Sequence, residues 1–554
     1  MKFSCWDIEA ENWNEFKVAS IYNDKKQFIC YSTKEIIKRM IEIGGIFYSH
    51  YGGGYDNHFL LKDLKKRFCM KWENIGSRLV KISVYYKNSK KKLFELRDSF
   101  FILPTSLKKL AIELTDERKQ DIDRKHIERL TKKELNDYVL SDSRILFKVI
   151  TNYLKIVNKQ NIKKTIASEC FSEHKKLYNH KELRVPAYYD KYIRQSYSGA
   201  RTEVFKRYGK NLKYYDFKSM YPSVMFEKEF PSGYIVNTKT FIKDKFGIYN
   251  CDVVTPDLDI PFLHTYNEDK KLIFPNGSFK GVYTSIEIEK AITLGYKIKI
   301  LNGYYFTKKA RPFQSYIKKW YGLKQKAEDE KNNSLRYISK LYLNSLYGKF
   351  GQRRVFRKII HLENNIKHYI DKGFKVVDFD ENLNFIVVEE ETRAKYTTCH
   401  IASFCCAYAR IKLYEAIENI KSLGGEVYYC DTDSIVTNID LPIGKNLGDL
   451  DLEQEIKEGI FLAPKFYSII TKDNKTISKH KGLSDDYDFD LYKKALLYND
   501  FTSFKEKKTS ICSLLESKTR HLKHMEVIKK TRSANGCFDK RIITKDFNTK
   551  PLNI

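Results

Sequence analysis

The stretch YYCDTDSIV, Tyr428–Val436, holds two carboxylates one residue apart, Asp431 and Asp433, in a run that is otherwise mostly apolar and aromatic, with no Lys or Arg beside them. Like charges at this spacing raise each other's pKa unless a cation lies between them, and a hard divalent ion with oxygen ligands, Mg2+ or Mn2+, suits such a pair. A further acid, Asp216, ends the run LKYYD, and Ser219 and Pro222 after it read as the cap and first turn of a helix. In SLRYISKLYLNSLYGKFG, Arg336, Lys340, Asn344 and Tyr347 share one helical face and Gly348 follows. Leu335, Ile338, Leu341 and Leu346 make the opposite side apolar, so the helix is flanked on several sides and its basic face needs an anionic neighbour. Singly, each element also reads as an ordinary turn, cap or solvated face. Together and in this order they supply what nucleotidyl transfer needs, carboxylates for two metal ions and cations for a triphosphate.

A second acidic set lies near the N-terminus. In FSCWDIEAE, Phe3, Cys5, Asp7 and Glu9 alternate onto one strand face, while Trp6 and Ile8 take the other. The glycine-rich turn in YSHYGGGYDNHF delivers Asp56 to the start of an amphipathic helix. The segment TKKELNDYVLSD opens with a capping box, Thr131 and Glu134, and sets Tyr138 and Asp142 on one side of a helix.

The elements that carry these residues must come from several domains, because 554 residues exceed what one hydrophobic core serves. Hydrophobic residues at 42% and aromatics at 14% supply ample core and exclude overall disorder. Lys and Arg number 101 against 70 Asp and Glu, a net charge of +31 that favours a polyanion, nucleic acid before acidic membrane, although Lys-rich usage also follows from an AT-rich coding sequence. The eleven cysteines include no CxxC pair, which argues against a zinc ribbon or disulfide framework. No apolar run reaches membrane-spanning length and the start of the chain turns acidic at once, so neither a membrane span nor a targeting segment is expected.

DFKSMYPS, KLYLNSLYG and YCDTDS resemble motifs A, B and C of the family B DNA polymerases, with Met220 standing where Leu is usual, a volume-conserving exchange. The resemblance implies Asp216 and Asp433 as metal ligands supported by Asp431, and Lys340 at the triphosphate. It places Tyr221 under the incoming sugar, and Asn344, Tyr347 and Gly348 along the nascent base pair; Arg336 and Lys324 are further phosphate-binding candidates. The N-terminal acids resemble the 3'-5' exonuclease motifs of the same family, implying Asp7, Glu9, Asp56 and Asp142 as ligands of two more metal ions. Tyr138 would orient the attacking water and Lys119 would lie near the scissile phosphate. Tyr51 stands where that family has Asn, which bears on single-strand handling. Ser99 with Phe100 is preferred to Ser106 with Leu107 as the single-strand-contacting pair. SYSGAR supplies Tyr197, Gly199 and Ala200 at the junction between the two active sites. CAYAR, with Cys406 in place of Thr, leaves Arg410 as a DNA contact, and PKFY supplies Lys465 and Tyr467 beside the primer terminus.

The short chain and early first motif resemble the protein-primed branch found in bacteriophages and linear plasmids. This implies an α/β (α+β) right-hand polymerase of palm, fingers and thumb behind an N-terminal RNase H-like 3'-5' exonuclease domain. Residues 1–170 are assigned to the exonuclease, 171–235 and 399–484 to the palm, 236–310 and 356–398 to two terminal-protein-region insertions, 311–355 to the fingers and 485–554 to the thumb. From Lys505 onward 13 basic residues face 5 acidic ones, as suits a thumb tracking phosphates, although the last fifteen or so also read as a solvated basic tail. The implied cofactors are Mg2+ or Mn2+, two per active site. The implied partners are template and primer DNA, dNTPs and a terminal protein, bound by a monomer or by a heterodimer with that protein, in the cytoplasm of a bacterial or other host or in an organelle matrix. The competing readings are a primer-dependent family B polymerase without terminal protein, and a catalytically dead DNA-binding relative.

Overall fold

The computed structural model describes residues 3–554 apart from 76–77, 88, 90, 121–128, 353–354, 362–370, 372–374, 381–384, 392–394, 484–486, 513–522 and 534–539; for 355–361, 375–380 and 385–391 only the backbone is described. Among the described residues no helix is long and apolar enough to cross a membrane.

The N-terminal part is built on a seven-stranded sheet in the order Gln27–Cys30, Glu15–Tyr22, Phe3–Glu11, Gly45–Ser49, Lys92–Asp98, Arg78–Tyr86, Phe68–Ile75. The alternation in Phe3–Glu11 sends Phe3 and Cys5 into one apolar cluster and Trp6 and Ile8 into another, so the strand is covered on both faces. Helix Lys132–Ile156 begins with the capping box, Thr131 receiving the Glu134 N–H while Glu134 receives the Thr131 N–H. It buries Ile145, Leu146, Val149, Ile150 and Tyr153, each worth on the order of 1.5–3 kcal/mol. At its Tyr138–Asp142 turn the contact narrows to a small-residue pair, the Ser20 hydroxyl donating to the Val139 carbonyl at 2.7 Å and meeting the Ser143 hydroxyl at 2.5 Å. That close approach brings Asp142 down beside the strand carrying Asp7 and Glu9.

A second seven-stranded sheet runs Thr476–His480, Phe466–Thr471, Leu450–Ala463, Tyr208–Phe217, Ser434–Thr437, Val427–Asp431, Thr202–Val204. Helix Cys399–Ser422 packs behind it through Ala409, Leu413, Tyr414 and Ile417. Between Asp216 and Lys340 lies a four-stranded antiparallel sheet, Phe230–Thr238, Lys297–Ala310, Gly247–Val254, Ser278–Thr284. Strands Val355–His361, Phe385–Glu391 and Lys375–Asp380 pair in that order as an antiparallel sheet. Helices Gln314–Asp329 and Asn333–Ser345 pair through Trp320 stacked on Tyr342 at 3.9 Å, and the Tyr342 hydroxyl meets that of Tyr153 at 3.0 Å. The basic helix is thus seated on the N-terminal part.

Two local expectations are corrected. Ser219 precedes helix Met220–Glu227 in a left-handed conformation, φ +55°, with no side-chain cap. The reason is the sharp exit from the strand, where the Phe217 N–H is tied to the Asp433 carbonyl and the Lys218 N–H to the Asp449 carbonyl, each at 2.8 Å. Nor are the last fifteen residues a solvated tail. Arg541–Ile543 and Thr549–Pro551 form a hairpin whose Thr549 N–H reaches the Phe205 carbonyl at 3.0 Å, and Arg541 is only 3% exposed.

Candidate active sites

Strand Tyr208–Phe217 lies between two antiparallel partners, which set Asp216 opposite Ser434 on one side and opposite Asp451 on the other. Acids more than two hundred residues apart thereby meet within one ladder step. In the hairpin tip Thr432 adopts φ +62°, a conformation that costs a β-branched residue on the order of 1–3 kcal/mol and persists only when the surroundings impose it. The Thr432 N–H is held by the Arg201 carbonyl at 2.8 Å, and the Asp433 N–H by the Asp431 carbonyl at 2.7 Å.

The two hairpin acids then diverge. Both Asp431 oxygens accept from the Lys465 ammonium at 2.6 Å, and its Oδ1 also accepts from the Thr202 and Thr432 hydroxyls at 3.0 Å. The cation missing from the local sequence is therefore supplied from 34 residues downstream. Asp433 acts on Asp216 across the ladder. Burial and then the Asp433 charge raise Asp216 to about 7, with Glu453 adding to the rise and Lys340 opposing it. Asp433 is raised by burial, with Asp431 and Glu453 adding to it, against its own backbone N–H and Lys465. Two half-buried carboxylates, each raised by burial and by acidic neighbours, are a donor set suited to a hard divalent cation. Lys340 stands exposed on its helix, and the Tyr347 ring stacks on that of Tyr221 at 4.3 Å and 8°.

In the N-terminal part, carboxylate oxygens of Asp7, Glu9 and Asp142 all lie within 4.8 Å of one another. Asp56, buried at the first turn of helix Asp56–Arg67, is raised well above the carboxylate range by burial, then by Asp7, Asp98 and Glu9. The turn before it requires glycine, because a Cβ on Gly53 would stand 1.8 Å from the Leu79 carbonyl oxygen and one on Gly52 would strike the Ser49 hydroxyl at 1.7 Å. Asp98 braces the same turn by accepting from the N–H groups of Tyr51, Gly53 and Phe100. Lys119 pairs with Asp142, and its ammonium lies 5.1 Å from the Tyr138 ring centre.

A family model described as "DNA polymerase type B, organellar and viral" matches residues 112–423. The chain belongs to that family. The matched span includes Asp216 and Lys340 and ends before Asp433. A probable DNA polymerase of Podospora anserina is 31% identical over 427 residues, 65% of this chain and 35% of that protein. One from Neurospora intermedia is 30% identical over 413 residues, 68% of this chain and 42% of that protein, so this chain matches well under half the length of these fungal relatives. The DNA polymerase of Bacillus phage M2 is 26% identical over 492 residues, covering 79% of this chain and 80% of its own. Among solved structures, Phi29 DNA polymerase complexed with primer-template DNA and incoming nucleotide substrates superimposes with a TM-score of 0.77 at 19% identity, over 96% of this chain and 99% of that one. The fold is therefore the right-hand polymerase fold with an N-terminal exonuclease-type domain.

Within that fold several expected positions face elsewhere. Arg410, expected on DNA, is 3% exposed; its guanidinium binds Glu287 at 2.7 Å and the carbonyls of Ser198 and Gly199 at 2.8 Å. It thus clamps the Tyr197–Ala200 loop to helix Ser285–Thr293, the buried acid having claimed it. Tyr467 packs inward against Tyr429 and Phe461, and the Ser99 hydroxyl is buried on the Ser49 carbonyl and His50. Phe100 remains half-buried at the surface, edge-on to Tyr51, with Arg78 4.6 Å from both ring centres. Asn344 and Gly348 are exposed beside Tyr347, Arg336 lies one turn before Lys340, and Lys324 has Glu328 at 3.6 Å. Sequence reasoning missed Glu453, although the alternating acids of GDLDLEQE were a visible signal for a strand with an acidic face. It also missed Asp98 and the Thr202 hydroxyl, whose roles exist only across strands.

Proposed function

We propose that the protein is a DNA-directed DNA polymerase that extends a 3'-hydroxyl by nucleotidyl transfer at Asp216 and Asp433 and proofreads at Asp7, Glu9, Asp56 and Asp142. The convergence of Asp216, Asp433 and Lys340 carries this reading, because two carboxylates with raised pKa near an exposed cation match the charge of a metal-bound triphosphate. Bound divalent ions would lower the pKa of the attacking hydroxyl and stabilise the departing pyrophosphate. Asp216 and Asp433 would hold those ions, and Asp431, neutralised by Lys465, keeps the hairpin tip in place. Lys340 draws in the triphosphate, with Arg336 and Lys324 further along the basic side. The Tyr221–Tyr347 stack closes the floor under the sugar and leaves no room for a 2'-hydroxyl, while Asn344 and Gly348 border the base pair.

In the N-terminal site Asp7, Glu9 and Asp142 form a donor set of the same kind, with Asp56, raised by burial and by the charges of Asp7 and Glu9, beside them. Tyr138 orients a water, and Lys119, drawn from Asp142 by substrate, meets the scissile phosphate. Phe100 and Tyr51 offer rings to an unstacked 3' end. The phage relatives and the near-complete overlap with Phi29 DNA polymerase support initiation from the hydroxyl of a terminal protein, with the insertions at 236–310 and 356–398 docking that protein and separating strands. The experiment is extension of primed and unprimed linear templates with and without candidate partner proteins. Covalent attachment of a deoxynucleotide to a partner supports protein priming. Extension only from oligonucleotide primers selects the primer-dependent alternative, and no extension under either condition selects the inactive DNA-binding one.

A further inference from the structure

We propose that the C-terminal hairpin is a strap that positions the Asp431–Asp433 turn, and that Arg541 is its positioning residue, acting through Glu203. The inference rests on the reading of that turn as the polymerase centre. Thr202–Val204 is the edge strand of the catalytic sheet, three residues long, with Thr202, Glu203 and Val204 opposite Asp431, Cys430 and Tyr429. Through the Arg201 carbonyl and the Thr202 hydroxyl this strand holds the left-handed Thr432 and Asp431. A three-residue strand has little cohesion of its own and needs cover on its outer side.

The strap supplies that cover. The Lys540 ammonium donates to the Thr202 carbonyl at 3.1 Å, and the Thr549 hydroxyl to the Val204 and Phe205 carbonyls at 2.9 and 3.0 Å. The Arg207 N–H donates to the Phe547 carbonyl at 2.7 Å. Beneath these bonds lies a buried charge cluster in which Arg201, Glu203 and Arg541 are 2%, 0% and 3% exposed. Arg201 Nε donates to one Glu203 oxygen at 2.6 Å with Nη2 in ion-pair contact at 2.5 Å, and Arg541 Nη1 stands 3.9 Å from the other Glu203 oxygen, an ion-pair contact without a hydrogen bond. Arg541 is fixed in turn by the Asp259 carbonyl at 2.7 Å and the Thr549 hydroxyl at 2.8 Å. A shifted register would part the Glu203 carboxylate from both guanidinium groups and leave a buried charge uncompensated, which is strongly unfavourable. The strap therefore holds the edge strand in the single register that imposes the strained turn.

The test compares Arg541→Ala, Arg541→Lys and Thr549→Val in the full chain. Amide hydrogen exchange of residues 427–437 in metal-free protein is expected to speed up in Arg541→Ala and Thr549→Val, while exchange in 3–11 and 132–156 stays at the wild-type rate. The extension kcat is expected to fall about 10- to 100-fold, as for a misplaced reacting group. Primer-template affinity and 3'-5' exonuclease rate should hold, and Arg541→Lys should recover part of the loss. Unchanged exchange across 427–437 in a folded Arg541→Ala protein overturns the proposal. So does a kcat loss matched by equal losses of DNA affinity and exonuclease rate, which marks general unfolding. If Arg541→Ala does not fold, Thr549→Val decides by the same readouts. Absence of extension by the wild-type chain would instead refute the polymerase reading and leave the exchange result standing.

Discussion

Replacing Asp216 with Asn removes one of two carboxylates that repel each other, and the structure sets both the sign and the size of the effect. Burial and Asp433 raise Asp216 from an ordinary 3.8 to about 7, a difference worth roughly 4 kcal/mol at about 1.4 kcal/mol per pH unit. The carboxylate is partly exposed, so solvent screening reduces this to on the order of 1–2 kcal/mol. A carboxylate whose folded pKa is raised contributes stability fully below its unfolded pKa and loses it as pH rises through the folded one. The metal-free wild-type protein should therefore weaken between about pH 4 and pH 7 relative to Asp216→Asn. Denaturant unfolding in EDTA at pH 5 and pH 8 measures the difference, with the variant expected to gain on the wild type by about 1–2 kcal/mol over that interval. Adding Mg2+ at pH 8 should reverse the order, because the wild type binds the ion more tightly in its folded state. A difference in EDTA that stays constant from pH 5 to pH 8 would refute the idea that Asp216 and Asp433 form a charge-frustrated pair.

Asp7→Ala combined with Glu9→Ala should abolish degradation of mismatched 3' ends and leave extension unchanged, followed on a labelled primer; persistent degradation contradicts the N-terminal assignment. Tyr221→Val, which breaks the stack on Tyr347, should raise ribonucleotide incorporation about 10- to 100-fold relative to deoxynucleotide, the loss expected when a steric exclusion is removed; unchanged discrimination in single-nucleotide insertion assays would move sugar selection elsewhere. Lys465→Ala leaves Asp431 without its Lys465 cation and should slow extension about tenfold, as for a slightly misplaced reacting group, with exonuclease rate intact; an unaffected rate would show that the hairpin tip does not depend on that pairing.

Most of what was legible in the sequence was local. The alternation of Phe3, Cys5, Trp6 and Ile8, the capping box at Thr131, and the face of Arg336, Lys340, Asn344 and Tyr347 are each written within a dozen residues, where side-chain period and cap chemistry leave few choices. The acids of the proposed polymerase site were also visible, because unneutralised carboxylates in apolar runs stand out. What stayed hidden were the long-range partners. Lys465 reaches Asp431 only after the sheet folds back, and Arg410 and Tyr467, plausible DNA contacts by motif, are claimed by Glu287 and by Tyr429 and Phe461. The C-terminal residues mislead for the opposite reason. Their basic composition suits a tail, and only the burial of Arg541 beside Glu203 shows that one of those charges belongs to the interior.

The most direct measurement is single-turnover incorporation by Asp433→Ala on a primed template, with 3'-5' degradation of the same primer read in parallel without dNTPs. Incorporation should be undetectable while degradation proceeds at the wild-type rate. Incorporation near the wild-type rate would place the chemistry away from the Asp216–Asp433 pair.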